Sequence, residues 1–137
     1  NGVAESMKLA LDDAEMSPDS IGYINAHGTG TRLNDPLECR AIHRVFGDRS
    51  VKLPVSSSKS LFGHAMGASS ALEALATLLA VQNDCAPPTL NCDDLDPECV
   101  IDPVPYNSRK VQIEAALSNS FGFGGSNAVL VFRKWKP

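Results

Sequence analysis

The chain has 137 residues, 43% of them hydrophobic, with 12 Lys and Arg set against 16 Asp and Glu for a net charge of −4. That fits one folded domain, and the mildly acidic balance without a basic run excludes a nucleic-acid surface or an anionic membrane as the main partner. The apolar stretch at 71–81 is shorter than the roughly 20 residues a membrane span needs, and no signal pattern opens the chain, so a soluble protein inside a cell is expected.

In chain order, "NGVAESMKLALDDAEM" sets Val3, Met7, Leu9, Ala10, Leu11 and Ala14 near helical spacing, so a helix is expected from the first residues. Without an initiator methionine the chain reads as a piece of something longer. "SPD" at 17–19 is a turn, and "IGYINA" at 21–26 is a strand ending at His27. Asp35 as N-cap, Pro36 at the first helical position and Glu38 reaching back as in a capping box start a second helix, which runs to about Phe46 before Gly47. "LPVSSS" at 53–58 is a strand leading into a polar loop with Lys59. A long helix is expected over 63–82, with Glu73 its only charge between 65 and 81 and Ser70, Glu73 and Thr77 on one stripe. A helix apolar nearly all round must be covered nearly all round. Prolines and aspartates then mark a surface excursion, and residues 113–120 and 127–134 are two strands joined by "FGFGG" as a hairpin. The order implies an α/β layered fold without internal repeats. Cys39, Cys85, Cys92 and Cys99 lack CxxC spacing and are expected to be reduced thiols.

In such folds reactive groups collect where strands hand the chain to loops at their carboxyl ends. His27 stands there, followed by Gly28, Thr29, Gly30 and Thr31. Glycines admit a ligand close to the backbone and threonine hydroxyls donate and accept, but an ordinary tight turn with a capped histidine accounts for "HGTGT" as well. Lys59 and His64 share the second strand-to-helix loop. A helix amino terminus opposes an added proton, so His64 is expected neutral with one ring N–H to donate. His27 and His64 converging on one carbonyl oxygen would stabilise an enolate, help worth about 3–4 kcal/mol per donor. The alternative is His64 as a helix cap with Lys59 solvated. His43, beside Arg40 and Arg44, reads as surface, and no histidine pair has the i, i+4 spacing of a zinc site, so no metal is expected. "NSFGFGGSN" is either a mobile loop with an aromatic gate or a structural glycine hairpin.

Together "NAHGTGT", "SSSKSLFGHAMGAS" and "LSNSFGFGGSN" resemble the carboxyl-terminal half of the β-ketoacyl-acyl-carrier-protein synthases, across nearly the whole chain and in the same order. The resemblance implies a thiolase-like fold, of which residues 1–137 would form one half of an α/β/α/β/α stack, the amino-terminal half with its nucleophilic cysteine being absent. It implies a decarboxylative Claisen condensation of an acyl thioester with malonyl carrier protein in fatty-acid or polyketide synthesis. By the same likeness His27 and His64 hold the malonyl thioester carbonyl, and Lys59 belongs to their loop with Glu73 as its structural partner. Thr29 and Thr31 match residues that contact the phosphopantetheine arm, Phe123 matches a gating phenylalanine, and Phe121 shapes its loop. The implied partners are an acyl carrier protein, which carries the phosphopantetheine, the amino-terminal half, and a second copy in a homodimer. No cofactor is bound by the chain itself, and the implied location is the cytoplasm or an organelle matrix.

None of the four cysteines carries the family's nucleophile motif. Asn34 replaces a common glycine, for which asparagine's tolerance of the left-handed conformation suffices, and Ser70 stands where glycine is frequent. The chain alone is therefore expected to be inactive, and to fold poorly or associate. Two other readings compete: a noncatalytic chain-length-factor-like subunit or decarboxylase of the same fold, disfavoured by the intact His27, Lys59 and His64, and a thiolase, disfavoured because Phe123 stands where thiolases place a cysteine.

Overall fold

A computed structural model describes residues 2–135, so that Asn1 of the expected first helix and residues 136–137 lie outside the described residues. Helix α1 (Gly2–Asp13) buries Ala4, Met7 and Leu11, the i, i+3, i+7 stripe of an amphipathic helix. Strand β1 (Ile21–Asn25) leads through the glycine-threonine loop to α2 (Asn34–Phe46), which ends at Gly47 as expected. The main sheet has the order β2-β1-β5-β6. Strands β2 (Val55–Ser56) and β5 (Ala115–Phe121) flank β1 in parallel, and β6 (Asn127–Arg133) returns antiparallel to β5 as the expected hairpin. A second sheet pairs only β3 (Cys85–Ala86) with β4 (Arg109–Lys110).

Helices α1 and α2 cover one face of the main sheet, where Met7, Leu11, Ile24, Ile42, Phe46, Val55 and Leu117 pack together. Helix α4 (Ser69–Asn83) covers the other, over Tyr23, Ile113 and Ala116. The register between β1 and β5 slips between Ile21 and Tyr23, which turns Ile21 and Ile24 to the same face although they are three residues apart. The slip falls at Gly22, where a Cβ would stand 2.9 Å from the carbonyl oxygen of Gln112.

Four expectations need correction. The strand expected at 53–58 is two residues long, because Ser57 and Ser58 already turn toward the loop. The helix expected over 63–82 is broken. A short α3 (Lys59–Phe62) ends at Gly63, whose φ of 82° stops it, residues 64–65 are irregular, and a 3₁₀ turn at Met66–Ala68 precedes α4. Lys59 thus begins a helix and is buried rather than solvated in a loop. The proline-rich excursion is not all surface: Cys99 and Val104 are buried, and Asp102 bridges in parallel to Pro54 beside β2.

Helix α4 turns its polar stripe inward. Ser69, Glu73 and Thr77 are buried against the sheet, Ser70 is exposed, and Leu72, Leu75, Leu78 and Leu79 stand 39–56% exposed. Among the described residues no helix is long and apolar enough to cross a membrane.

Candidate active site

Because β1, β2 and β5 run parallel, their carboxyl ends deliver His27, Lys59 and Phe121 to the same edge of the sheet. The His27 and His64 ring centres lie 6.1 Å apart and nearly perpendicular, at 88°. Phe121 also packs against His27, with ring centres 5.4 Å apart and tilted at 57°.

The backbone beneath His27 is held by Glu38, a residue that the capping-box reading assigned elsewhere. Its carboxylate is 2% exposed and accepts the N–H groups of His27 and Gly28, both at 2.9 Å. It also accepts the side-chain amides of Asn119, at 3.0 Å, and Asn34, at 3.3 Å. Burial pushes the Glu38 carboxyl up, and these four donors pull the other way. Asp35 meanwhile accepts the Gly30 N–H from inside α2, and the N-cap position falls on Leu33, which makes no side-chain cap. Asn34 is the first helical residue and not left-handed, so its place rests on these amide contacts. Gly28 has φ 41°, and a Cβ there would come within 2.5 Å of the Ser57 side chain, whose hydroxyl donates to the Gly28 carbonyl at 2.6 Å. No larger residue fits that turn without displacing Ser57.

Lys59 occupies the centre. Its ammonium donates to the His27 carbonyl oxygen at 2.6 Å and to the Glu73 carboxylate, and stands 3.3 Å from His27 Nδ1. An ammonium only donates, so Nδ1 of His27 accepts and the ring proton sits on Nε2. Burial first, then the charges of Lys59 and His64, push the His27 imidazole down to about 4. His64 reaches the same tautomer by another route than the expected helix terminus, since it precedes α4 by five residues. The Met66 N–H donates to its Nδ1 at 3.2 Å, and the Ser69 hydroxyl lies 2.9 Å from that nitrogen. Both histidines therefore keep an Nε2–H to donate.

Thr29, Thr31, Lys59 and His64 line a cavity of about 580 Å³, and the two threonine hydroxyls are 2.9 Å apart. Phe123, matched to a gating phenylalanine, lies outside that cavity and is 95% exposed, because the glycine loop carries it off the sheet edge. His43 is exposed and bonded to Ser50 at 3.0 Å, away from this centre. Cys39, Cys92 and Cys99 line the same cavity as free thiols, and burial pushes each of them up, which suppresses the thiolate a nucleophile needs. Sequence reasoning missed Glu38, Asn25 and Asn119. Asn25 donates to Ser58 Oγ at 3.0 Å and to the Glu73 carbonyl at 3.1 Å, tying β1 to α4. The available signal was an asparagine at an inward position of an otherwise apolar strand.

Comparison with known proteins identifies the family. Residues 1–93 match the family described as "Beta-ketoacyl synthase, C-terminal domain". The chain is 48% identical over 133 residues to the 3-oxoacyl-[acyl-carrier-protein] synthase 2 of Coxiella burnetii (strain RSA 493 / Nine Mile phase I), covering 97% of this chain and 32% of that protein. Among solved structures, the ishigamide ketosynthase/chain length factor superposes with a TM-score of 0.94 at 41% identity, covering 98% of this chain and 33% of that one. A type II PKS acyl-carrier protein in complex with its ketosynthase bound to the hexaketide gives a TM-score of 0.94 at 37% identity, with 98% and 33% covered. The chain thus spans about a third of the length of these relatives rather than half, and its fold is that of the thiolase-like ketosynthases.

Proposed function

The chain belongs to the β-ketoacyl synthase family, and we propose that it supplies the enolate-stabilising part of a condensing acyltransferase whose remaining part lies in a longer chain. The observation that carries this reading is the pair of Nε2–H donors, His27 and His64, whose Nδ1 atoms are both taken by neighbours and whose rings stand 6.1 Å apart. A malonyl thioester bound with its carbonyl oxygen between them loses carbon dioxide, and the electron pair of the broken C–C bond passes into the enolate. Two neutral imidazole donors stabilise that oxygen without surrendering a proton to it. The enolate carbon then attacks the carbonyl of an acyl group held as a thioester on a cysteine outside this chain, and the cysteine leaves as thiolate.

Lys59 has its contacts in the His27 carbonyl, His27 Nδ1 and Glu73, so its part is to keep His27 neutral and oriented. Thr29 and Thr31 line the cavity through which the phosphopantetheine arm of an acyl carrier protein would reach His64, which lines it too, whereas His27 does not. Phe123, exposed on a glycine loop, is suited to swing over that opening as a gate. A carrier protein, the rest of the synthase and a second copy are the proposed partners. The carrier protein has support in the relative solved with one.

The test is malonyl-thioester decarboxylation by the full-length protein that carries this chain. His27→Ala and His64→Ala are each expected to lower kcat roughly 100-fold or more, the loss typical of one oxyanion donor. Rates within a few-fold of the unsubstituted protein in both variants would remove the histidines from this role. An unsubstituted full-length protein with no decarboxylation at all would favour instead a noncatalytic chain-length-factor-like subunit, the component named beside the ketosynthase in one structural relative.

A further inference from the structure

Ser69 is the first residue of α4, one past the N-cap position, which falls on Ala68. The residue is 4% exposed and its hydroxyl lies 2.9 Å from Nδ1 of His64, five positions back in the chain. Nδ1 also faces the Met66 N–H at 3.2 Å, and a backbone N–H can only donate. The nitrogen therefore carries no hydrogen in the neutral ring, which leaves the Ser69 hydroxyl as a second donor to the same lone pair. Met66 holds φ 47°, a left-handed conformation uncommon for its side chain, so the N–H aimed at the ring is fixed by its surroundings.

We propose that Ser69 is a positioning residue for His64, its hydroxyl fixing the ring so that Nε2–H points at the reacting oxygen and strengthening that N–H as a donor. The proposal rests on the reading of His64 given above. Two anchors from different segments hold the ring: Met66 from the irregular turn and Ser69 from the rigid helix. His64 is otherwise exposed, and a ring tied by the Met66 N–H alone is free to tilt about that single contact. Donation into Nδ1 also draws electron density from the imidazole, which makes Nε2–H the better donor as charge grows on the enolate oxygen. Because the gain appears where charge develops, it acts on kcat more than on KM. Strengthening of one such donor by the usual fraction corresponds to about a two- to sevenfold change in rate.

In the full-length protein with ring-¹⁵N histidine, Ser69→Ala is expected to lower the decarboxylation kcat about two- to sevenfold with KM unchanged. The Nδ1 resonance of neutral His64 should move toward that of an unbonded imine nitrogen. Ser69→Thr, which keeps the hydroxyl, should retain both properties. An Nδ1 resonance that stays in place in Ser69→Ala overturns the assignment. So does an unchanged kcat in a protein whose His64→Ala variant has lost activity. If His64→Ala itself decarboxylates at the original rate, the functional reading falls and the positioning role with it.

Discussion

Charge state at His27 follows from what surrounds one nitrogen. Its imidazole sits partly out of water with the Lys59 ammonium 3.3 Å from Nδ1, and burial, Lys59 and His64 together bring it from 6.5 to about 4. The folded value lies below the unfolded one, so between about pH 6.5 and 4 the unfolded chain binds more protons. The stabilising contribution of neutral His27 is therefore present above pH 6.5 and is lost as pH falls through about 4. An NMR titration of the His27 ring should inflect near 4, and an inflection at or above 6.5 would show that the ring is neither buried nor beside the Lys59 ammonium in solution. The residue types "HGTGT" and "KSLFGH" could be read directly as donors because their chemistry is intrinsic. Their tautomers could not, since those depend on Met66 and on a lysine 32 positions from His27.

Two helices meet at the ion pair of Lys59 and Glu73, whose side chains are 6% and 1% exposed. It joins α3 to α4 across the break that follows Phe62, and burial pushes the Glu73 carboxyl up against the opposing pull of Lys59. Removing either partner leaves the other buried and uncompensated, at a cost of about 3–5 kcal/mol, whereas replacing both with apolar residues costs far less than the sum. Urea unfolding of Lys59→Met, Glu73→Leu and the double variant measures this, and simple additivity would mean that the two charges do not rely on one another. The partnership of Lys59 with Glu73 was an expectation from resemblance, and the contact is present. The break between α3 and α4 was missed because "GHAMGA" has neither a proline nor a clear cap, and hydrophobic periodicity is blind to the positive φ of Gly63 and Met66. Glu38 was misread for a related reason. Three positions after Asp35 it satisfies a local capping pattern, but the loop in front of α2 folds back and offers it two non-helical N–H groups.

Across the whole molecule, the least compensated feature is the outer face of α4. Leu72, Leu75, Leu78 and Leu79 form a connected apolar stripe open to water, far beyond the scattered single leucines of an ordinary surface. The chain by itself is expected to self-associate through this face. Sedimentation velocity should find higher-order species for the isolated chain and a shift toward monomer when Leu75→Glu and Leu79→Lys are introduced together. Monomers at all concentrations before substitution would show that the stripe needs no cover.

By itself the sequence determined the layered α/β order, the hairpin, and the residues able to do chemistry, because strand and helix periods and side-chain functional groups are local properties. That His27 and His64 would meet was one of two readings the residues left open, and resemblance favoured it. Tertiary structure alone decided that Glu38 serves a loop rather than its own helix, that Ser69 rather than Ser70 faces inward, and that Phe123 stands off the cavity. Each of those outcomes turns on which buried polar atom finds a partner, and the partners here come from other segments of the chain. Satisfying a buried donor or acceptor outweighs local propensity, and only the folded arrangement shows who is within reach.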